Sequence, residues 1–361
     1  MSDGFAIAGR EIGRGHPTFV IAEMSGNHNQ SYEQSLRILE AAKAAGADAI
    51  KLQTYTADTI TLRCDNEYFR VGGTIWNGRN LHDLYAEAHT PWEWQPNLKA
   101  RADELGITLF SSPFDTTSVD FLESLGVPAY KIASFEIVDI PLLQRVAATG
   151  RPVIVSTGMA TTAEIEEAVR TLRDAGARDI ALLRCVSAYP AEPDDMNLLT
   201  IPHMAQRFGV PAGLSDHTLS SAVAVAAVAL GACIVEKHLT LSRGDGGPDS
   251  AFSLEPDEFA GLVRDIRTTE RALGTPRYGA TPAEERSRIF RRSLFVVRDI
   301  RAGERLSSEN VRSIRPGHGL HTRYLSLVLG GVARRDIPRG TPLAFDMFEP
   351  NANAQPQTGD S

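Results

Sequence analysis

Two histidines and two lysines in this sequence are of types, and at positions, that suit chemistry on an anionic substrate. His217 and His238 follow two neighbouring apolar runs, and a pair of imidazoles with carboxylates nearby binds a divalent transition metal while leaving positions open for water and substrate. Lys51 and Lys131 lie in two other apolar runs, and ammonium groups with serine hydroxyls suit a phosphate. The residue types favour a site for an anion beside a metal.

Each of these groups also has a simpler interpretation, which the residues alone leave open. Lys51 and Lys131 could instead form buried ion pairs with Glu23 or Glu236, or a lysine could form a Schiff base. The two histidines could be structural residues that are hydrogen-bonded in the core. If the lysines are structural, they should be ion-paired with the glutamates. If they are functional, they should form a site for an anion.

Eight apolar runs, each followed by a helical segment, must position these side chains. Such near-continuous apolar runs are typical of a parallel sheet covered by helices. Eight units over roughly 250 residues predict a closed (β/α)8 barrel, with a doubly wound open sheet as the alternative. The predicted strands begin at Phe19, Asp48, Ile107, Ala129, Pro152, Ile180, Val210 and Cys233.

Polar residues stand at the end of every predicted strand. In a (β/α)8 barrel the carboxyl ends of the strands form the active site, and alternate residues of a strand face the barrel interior. A polar group at all eight ends therefore favours an active site there. The strand-end candidates are Glu23, Lys51, Gln53, Ser112, Lys131, Ser134, Ser156, Ser187, Tyr189, Ser215, His217, Glu236 and His238.

The 361 residues predict a large domain followed by a small one. Residues 1–273 form the predicted barrel, 274–290 a linker, 291–350 a small β-rich domain and 351–361 a polar, disordered tail. Within the small domain Arg298-Asp299-Ile300 with Gly303 and Leu306 recurs as Arg335-Asp336-Ile337 with Gly340 and Leu343, which predicts two related hairpin units. A long connection, residues 56–90, follows the second barrel strand, and its length predicts a functional loop or lid.

Charge and composition argue against several classes of protein. A net charge of −8 without a Lys/Arg block disfavours a nucleic-acid partner. No apolar run is long enough to span a bilayer, and the N-terminal residues lack the apolar region of a secretory signal. Three cysteines make no disulfide framework, so a reducing cytoplasm is the expected compartment.

The ordered motifs resemble the sialic acid synthase family from about Phe19 to Glu349. They include IAEMSGNHNQS, GADAIKLQTYTADT, FSSPFD, AYKIASFE, VSTGMA, LRCVSAYP, GLSDHT, EKHLT and GPDSAFSLEPDEF, and the run from SLFVVRDIRAGE to SIRPGHGL resembles that family's antifreeze-like (SAF) domain. The insert GGTIWNGRNLHDLYAEAHTPWEW is most similar to that of the pseudaminic acid synthase branch. Substrates of the N-acetylneuraminate and legionaminic acid branches remain the alternative.

The resemblance implies a reaction between phosphoenolpyruvate and an acylated amino sugar, which for the pseudaminic branch is 2,4-diacetamido-2,4,6-trideoxy-L-altrose. A divalent metal held by His217 and His238, Mn²⁺ first and Mg²⁺ or Co²⁺ as alternatives, would polarise the sugar aldehyde. C3 of phosphoenolpyruvate attacks that carbon, water adds at C2, and phosphate leaves. Two other functions stay open: an aldolase with Lys131 as its Schiff-base lysine, and a non-catalytic carbohydrate-binding protein.

The resemblance also implies roles for individual residues. Arg315 of RPGHG would reach from the antifreeze-like domain into the barrel of a second copy, in a domain-swapped homodimer. Two positions depart from the family, because Ser112 and Ser187 stand where threonine and asparagine are common. The phosphoenolpyruvate contacts implied are Lys51, Ser112, Lys131, Ser134, Ser156, Ser187 and Ser215; the groups implied for the sugar or for water are Glu23, Gln53, Tyr189, Glu236 and Asp249.

Overall fold

The computed structural model describes residues 4–352 and divides between Gly274 and Thr275 into two compact units. Nine of the eleven residues predicted as a disordered tail, 353–361, lie outside the described residues. The first residue of that tail, Asn351, is described, and its Nδ2 donates to the carbonyl of Leu329 at 3.1 Å.

The first unit contains a closed barrel of eight parallel strands, as predicted. Each predicted strand start lies within two residues of the observed one, because a strand buried on both faces reads as an apolar run. Strand β10 closes the barrel by pairing with both β9 and β3. The barrel strands are β3 (Phe19–Glu23), β4 (Ala49–Thr54), β5 (Thr108–Pro113), β6 (Tyr130–Ile132), β7 (Val153–Ser156), β8 (Ile180–Cys185), β9 (Ala212–Asp216) and β10 (Ile234–His238).

Helices follow each barrel strand and bury one apolar face against it. The connection after β4 holds two extra short helices, α2 and α3, in the region predicted as a functional loop. No helix among residues 4–352 is long and apolar enough to cross a membrane. The helices of this unit are α1 (Tyr32–Ala44), α2 (Ala57–Ile60), α3 (Leu81–Ala88), α4 (Gln95–Leu105), α5 (Thr116–Ser124), α6 (Ile140–Ala147), α7 (Thr162–Asp174), α8 (Thr200–Phe208), α9 (Ser221–Ala229) and α10 (Pro256–Leu273).

An antiparallel hairpin precedes the barrel, and the strand prediction missed it. Strands β1 (Gly4–Ile7) and β2 (Arg10–Gly13) pair across a two-residue turn. Ala8 and Gly9 both have positive φ, at 49° and 79°, as the turn between twisted strands requires. The sequence did contain a signal for this hairpin. The pair Ala8-Gly9 separates two short runs in which apolar residues alternate with other residues.

Strand register brings predicted site residues side by side. Glu23 on β3 pairs with Lys51 on β4, and Gln53 on β4 pairs with Ser112 on β5. Ser215 on β9 is the register partner of Glu236 on β10. Because paired residues point to the same face of a sheet, these side chains share the barrel interior.

The second unit has its own core around two antiparallel pairs, and its sequence repeat pairs with itself. Ile300 and Ile337, the equivalent residues of the two copies, exchange backbone hydrogen bonds of 3.0 and 2.8 Å. Asp299 and Asp336 each accept a backbone N–H from the opposite copy. Its elements are α11 (Pro282–Glu285), β11 (Ser293–Val296), β12 (Val311–Ile314), α12 (Leu325–Val328), β13 (Val332–Ala333) and β14 (Phe348–Glu349).

Candidate active site

Two buried lysines and two buried glutamates meet at the carboxyl end of the barrel. Lys51 Nζ lies 2.6 Å from Glu23 Oε2 and 3.7 Å from Glu236 Oε1. Lys131 Nζ lies 3.6 Å from the same Glu236 oxygen. The ion pairs that the sequence left open are therefore present, and Glu236 bridges the two ammonium groups.

The two carboxylates of this cluster differ in acidity. Burial raises the pKa of Glu23, and Lys51 only partly opposes the rise. Burial also disfavours ionised Glu236, but Lys131 and Lys51 together outweigh it and lower its pKa. Glu236 is thus the more acidic carboxylate of the cluster, and Glu23 is the one that protonates more readily.

The two lysines differ in the same way. Burial favours a neutral amine at both positions, but Glu23 and Glu236 raise the pKa of Lys51 above its ordinary value. At Lys131 burial prevails and lowers the pKa, with Glu236 opposing. A lysine of lowered pKa is suited to Schiff-base chemistry, but an anion bound beside it would raise the pKa again, so this geometry alone leaves both roles open.

Hydroxyl groups surround the lysines. Lys131 Nζ donates to Ser156 Oγ at 2.7 Å, and Lys51 Nζ donates to Ser112 Oγ at 3.2 Å. Ser134 Oγ accepts the backbone N–H of Gly158 at 3.2 Å. A Cβ at residue 158 would lie 2.3 Å from Ser187 Oγ, so glycine keeps this corner open.

The hydroxyl of Ser187 is buried and has no hydrogen-bond partner among the described residues. A buried hydroxyl of this kind is available to a bound ligand, and Tyr189 is close enough to interact with it. Ser187 is one of the two departures from the family pattern, and its hydroxyl remains within this serine-lined corner. The shorter side chain has therefore not removed a polar group from the site.

His217 and His238 come together, with ring centroids 5.3 Å apart. The Nδ1 of His217 lies 2.8 Å from the carbonyl of Val186, which can only accept, so Nδ1 carries a proton. Burial disfavours the charged form of this ring, but Cys185 and the Val186 carbonyl outweigh it and raise the pKa of His217. Burial and the neighbouring His217 lower the pKa of His238 well below its ordinary value, which keeps that ring neutral. Each ring therefore offers a nitrogen to a metal, and metal binding would displace any proton on Nε2 of His217.

The donor set at the histidines fits a metal that is completed by other ligands. Nδ1 of His238 is buried without a hydrogen-bond partner among residues 4–352. The same residues contain no group of three or more His, Cys, Asp or Glu side chains arranged to hold a metal. A two-histidine centre leaves several coordination positions for water and substrate, as a catalytic site requires.

The remaining predicted groups of the barrel line the same end. Gln53 Nε2 donates to Glu23 Oε1 at 3.1 Å and to Ser25 Oγ at 3.0 Å, and Ser25 donates to the carboxylate of Asp249. The Tyr189 ring lies 4.5 Å from the His217 ring, between centroids, and is tilted against it. Ser215 Oγ donates to Glu236 Oε1 at 3.2 Å.

The insert after β4 crosses this mouth. Trp76 Nε1 donates to the carbonyl of Pro248, beyond β10, at 2.9 Å. The Trp76 ring lies 5.5 Å from that of Tyr189, beyond β8. A segment from one side of the barrel is thereby attached to loops of the other, which places an aromatic wall outside the histidine pair.

Glu136, the last residue of the motif AYKIASFE, is a carboxylate of the site that was not among the predicted residues. Glu136 lies two residues after Ser134, and its Oε2 is buried without a partner among the described residues. Burial raises its pKa to about 7, with Lys131 opposing. Glu136 lies shortly after the end of β6, in the same kind of position as the predicted strand-end residues. That position was the signal in the sequence that could have identified it.

Arg315 lies in the second unit, just after β12, and is exposed. Within residues 4–352 its guanidinium has no hydrogen-bond or ion-pair partner. The other fourteen predicted site residues all belong to the first unit.

His28, which follows β3, is a buried structural residue. We expect it to lower the stability of the fold at acid pH. Its Nδ1 accepts the N–H of Gln30 at 3.1 Å and its Nε2 faces Thr90 Oγ1 at 3.2 Å. Burial, with a contribution from His89, lowers its pKa from 6.5 to about 4. Between these values the unfolded chain binds the proton and the folded chain does not, so stability falls as pH drops from 6.5 towards 4, by about 3 kcal/mol in all.

Urea unfolding at pH 7 and pH 4.5 measures this contribution. We expect His28→Gln, which cannot titrate, to lose about 2–3 kcal/mol less than the unsubstituted chain between the two pH values. Equal losses in both proteins would show that His28 does not control acid stability.

Comparison with known proteins gives consistent results along the chain. The NeuB family matches residues 38–278, and the SAF domain matches residues 291–349. The pseudaminic acid synthase of Helicobacter pylori is 43% identical, with 92% of this chain and 98% of that protein covered. The N,N'-diacetyllegionaminic acid synthase of Legionella pneumophila is 35% identical, with 92% and 94% covered.

A solved structure agrees with these relatives. The N-acetylneuraminic acid synthetase of Leptospira borgpetersenii, crystallised with citrate, superposes with a TM-score of 0.70 at 34% identity. The match covers 80% of this chain and 95% of that one.

Proposed function

The chain belongs to the NeuB family, and we propose that it condenses phosphoenolpyruvate with 2,4-diacetamido-2,4,6-trideoxy-L-altrose to give pseudaminic acid and phosphate. The observation that carries this proposal is 43% identity to a pseudaminic acid synthase over nearly the whole of both chains. The legionaminic acid synthase, at 35%, is the relative that favours the alternative sugar. Both alternatives share the same reaction and differ in sugar stereochemistry.

We propose that phosphoenolpyruvate binds over the lysine–glutamate cluster. Lys51 and Lys131 would hold its anionic groups, and the hydroxyls of Ser112, Ser156 and the serine-lined corner at Gly158 would complete the cradle. The entering anion competes with the glutamates for the ammonium groups. Protonation of Glu23, which its raised pKa favours, would relieve that competition.

The sugar would extend from the histidines towards the mouth. Its aldehyde end lies at His217 and His238, and Gln53, Asp249 and Tyr189 line the path outward. C3 of phosphoenolpyruvate forms the new bond to the aldehyde carbon, water adds at C2, and phosphate leaves by C–O cleavage. Glu136, with a pKa near neutrality, is placed to give or accept a proton in these steps.

His217 and His238 would hold the divalent metal, with Mn²⁺ as the first choice and Mg²⁺ or Co²⁺ as alternatives. Such an ion supplies Lewis-acid polarisation of a carbonyl and a template for the substrate. The support is the pair of buried imidazoles, with ring centroids 5.3 Å apart and an unpartnered nitrogen on His238. The cytoplasm, where phosphoenolpyruvate is made, is the compartment that this function requires.

We further propose a homodimer in which Arg315 of one copy enters the barrel of the other. Large apolar side chains are exposed on four successive loops at the carboxyl end of the barrel, and a second copy would cover them. These residues are Phe135, Val138, Met159, Leu199 and Leu219. The planar donors of an arginine suit an acetamido carbonyl of the sugar.

The function is tested by measuring phosphate release with each component left out in turn. We expect release only when phosphoenolpyruvate, a divalent metal and the altrose derivative are all present. N-acetylmannosamine and the legionaminic precursor serve as the other sugars, and release with either one instead would move the protein to that branch. Borohydride trapping of Lys131 with pyruvate, together with activity in EDTA, would favour the aldolase instead.

The aromatic wall formed by Trp76 is expected to serve the sugar and not phosphoenolpyruvate. We expect Trp76→Ala to raise KM for the sugar about tenfold, because truncation removes apolar contact worth roughly 1.4 kcal/mol, and to leave KM for phosphoenolpyruvate unchanged. Steady-state kinetics with each substrate varied in turn measures the split. Trp92→Phe, at a ring that stacks on Phe121 in the helix layer, is the matched control; a rise in both KM values for Trp76→Ala would contradict this role.

A further inference from the structure

A fully buried ion pair lies directly behind the two histidines. Lys237 precedes His238 on β10, and Asp216 precedes His217 at the end of β9. The Nζ of Lys237 lies 2.6 Å from Asp216 Oδ2, and both side chains have 0% exposure. No step of the proposed reaction uses either residue.

This pair lies on the opposite face of the strands from the reacting groups. Ser215 and Glu236 are register partners that face the barrel interior, and Asp216 and Lys237 are the next partners along the same two strands. Successive residues of a strand point to opposite faces, so the second pair is directed towards the helix layer. Helix α9, which packs on β9, belongs to that layer.

The hydrogen bonds of the pair are made with the residues immediately before and after His217. Lys237 Nζ donates to the carbonyl of Thr218, and Thr218 N–H donates to Asp216 Oδ1 at 2.9 Å. One side chain on β10 thus holds both the residue before His217 and the residue after it. Since His238 is the next residue after Lys237, the cluster links the backbone positions of the two imidazoles.

The stability of the fold alone does not explain why Asp216 and Lys237 are charged residues. Taking two ions out of water costs several kcal/mol each, and well-packed apolar residues of similar volume usually serve stability as well or better. What an ion pair with satisfied hydrogen bonds provides is a single geometry. A metal site needs that, because outer groups that orient the ligands commonly change metal affinity about 10–100-fold.

We infer that Lys237, Asp216 and Thr218 form a positioning cluster that sets the separation and orientation of His217 and His238 for a divalent metal. The inference rests on the proposed metal role of those histidines. It assigns the cluster no contact with substrate. Loss of the cluster should weaken metal binding more than it weakens the fold.

The test compares Mn²⁺ binding with metal-free stability in the full-length protein. The variant Asp216→Asn/Lys237→Met removes both charges together, which avoids leaving one buried ion unpaired, and keeps side-chain volume. We expect the Mn²⁺ dissociation constant from titration calorimetry to rise at least about tenfold, while the melting temperature without metal changes by less than about 4 °C. The metal concentration needed for half activation should rise in parallel, with little change in KM for phosphoenolpyruvate.

A control removes an ion pair of the same barrel far from the histidines. Arg267 Nη2 lies 2.7 Å from Asp48, the residue before β4, at the amino end of the strands. Arg267→Met should lower the melting temperature without changing the Mn²⁺ dissociation constant. This separates a positioning effect from general loosening of the barrel.

The possible outcomes are distinct. Unchanged Mn²⁺ affinity in the double variant, with tight binding by the unsubstituted protein, would overturn the positioning role and leave the proposed function intact. Absence of Mn²⁺ binding by the unsubstituted protein would overturn the metal role and this inference with it. If the double variant does not fold, Lys237→Arg decides, since it keeps the charge paired with Asp216 and changes only the geometry of the donors; an unchanged dissociation constant there also overturns the inference.

Discussion

Replacement of His238 by alanine should reduce phosphate release by about 10³-fold or more and abolish its dependence on added metal. In the proposed function the two imidazoles would be the protein's ligands to the metal, and Lewis-acid stabilisation would supply several kcal/mol of the barrier reduction. With one imidazole left, the ion would be held only by His217 and by groups that exchange freely. Metal content by mass spectrometry and phosphate release over a Mn²⁺ titration measure the two effects together.

The control for this prediction is His203→Ala, at an exposed histidine of α8 in the same barrel. It should retain the activity and metal content of the unsubstituted protein. Treatment of the unsubstituted protein with EDTA should reproduce the His238→Ala result, and Mn²⁺ should reverse it only in the unsubstituted protein. Full activity of His238→Ala in EDTA would remove the metal from the proposed function.

Substitution of Arg315 by alanine is expected to inactivate a site of the partner copy and leave the site of its own chain intact. We expect a loss of at least about 10²-fold, because a guanidinium that fixes a substrate carbonyl contributes roughly 3 kcal/mol or more. The loss should fall on the sugar and not on phosphoenolpyruvate. The measurement is steady-state kinetics of the purified variant.

Mixing two inactive variants identifies which copy supplies the arginine. In a mixed dimer of Arg315→Ala and His238→Ala chains, an arginine acting across the interface leaves one of the two sites complete. Random reassociation of equal amounts should then restore about one quarter of the original activity. An arginine acting within its own chain would leave every site defective, so the absence of recovery in verified mixed dimers would contradict the exchange.

The sequence was sufficient for the barrel because its signal is local. Apolar runs of strand length that alternate with helical segments specify eight β/α units, and that number favours a closed barrel. The same periodicity placed Lys51, Glu236 and their neighbours on the interior face before any contact was known. The hairpin Gly4–Gly13 was missed because its two strands are only four residues each, too short for a periodic pattern to stand out from the adjoining loop.

The charge state of the site was beyond the sequence. Whether Lys51 and Lys131 would be ion-paired depended on the distance to Glu236, which is far from both in the chain and reaches them only when β10 closes the barrel against β3. Glu136 acquires a pKa of about 7 from burial, which is a property of its surroundings and not of its type.

Residue types and strand phase thus determined by themselves which groups face the barrel interior, since alternation follows from backbone geometry. Only the tertiary structure decided which of those groups touch one another and how their protons are shared, because electrostatic interaction depends on distance and exclusion of water. The buried pair of Asp216 and Lys237 illustrates the difference: its strands are recognisable in the sequence, and its purpose becomes apparent only from what it holds in place.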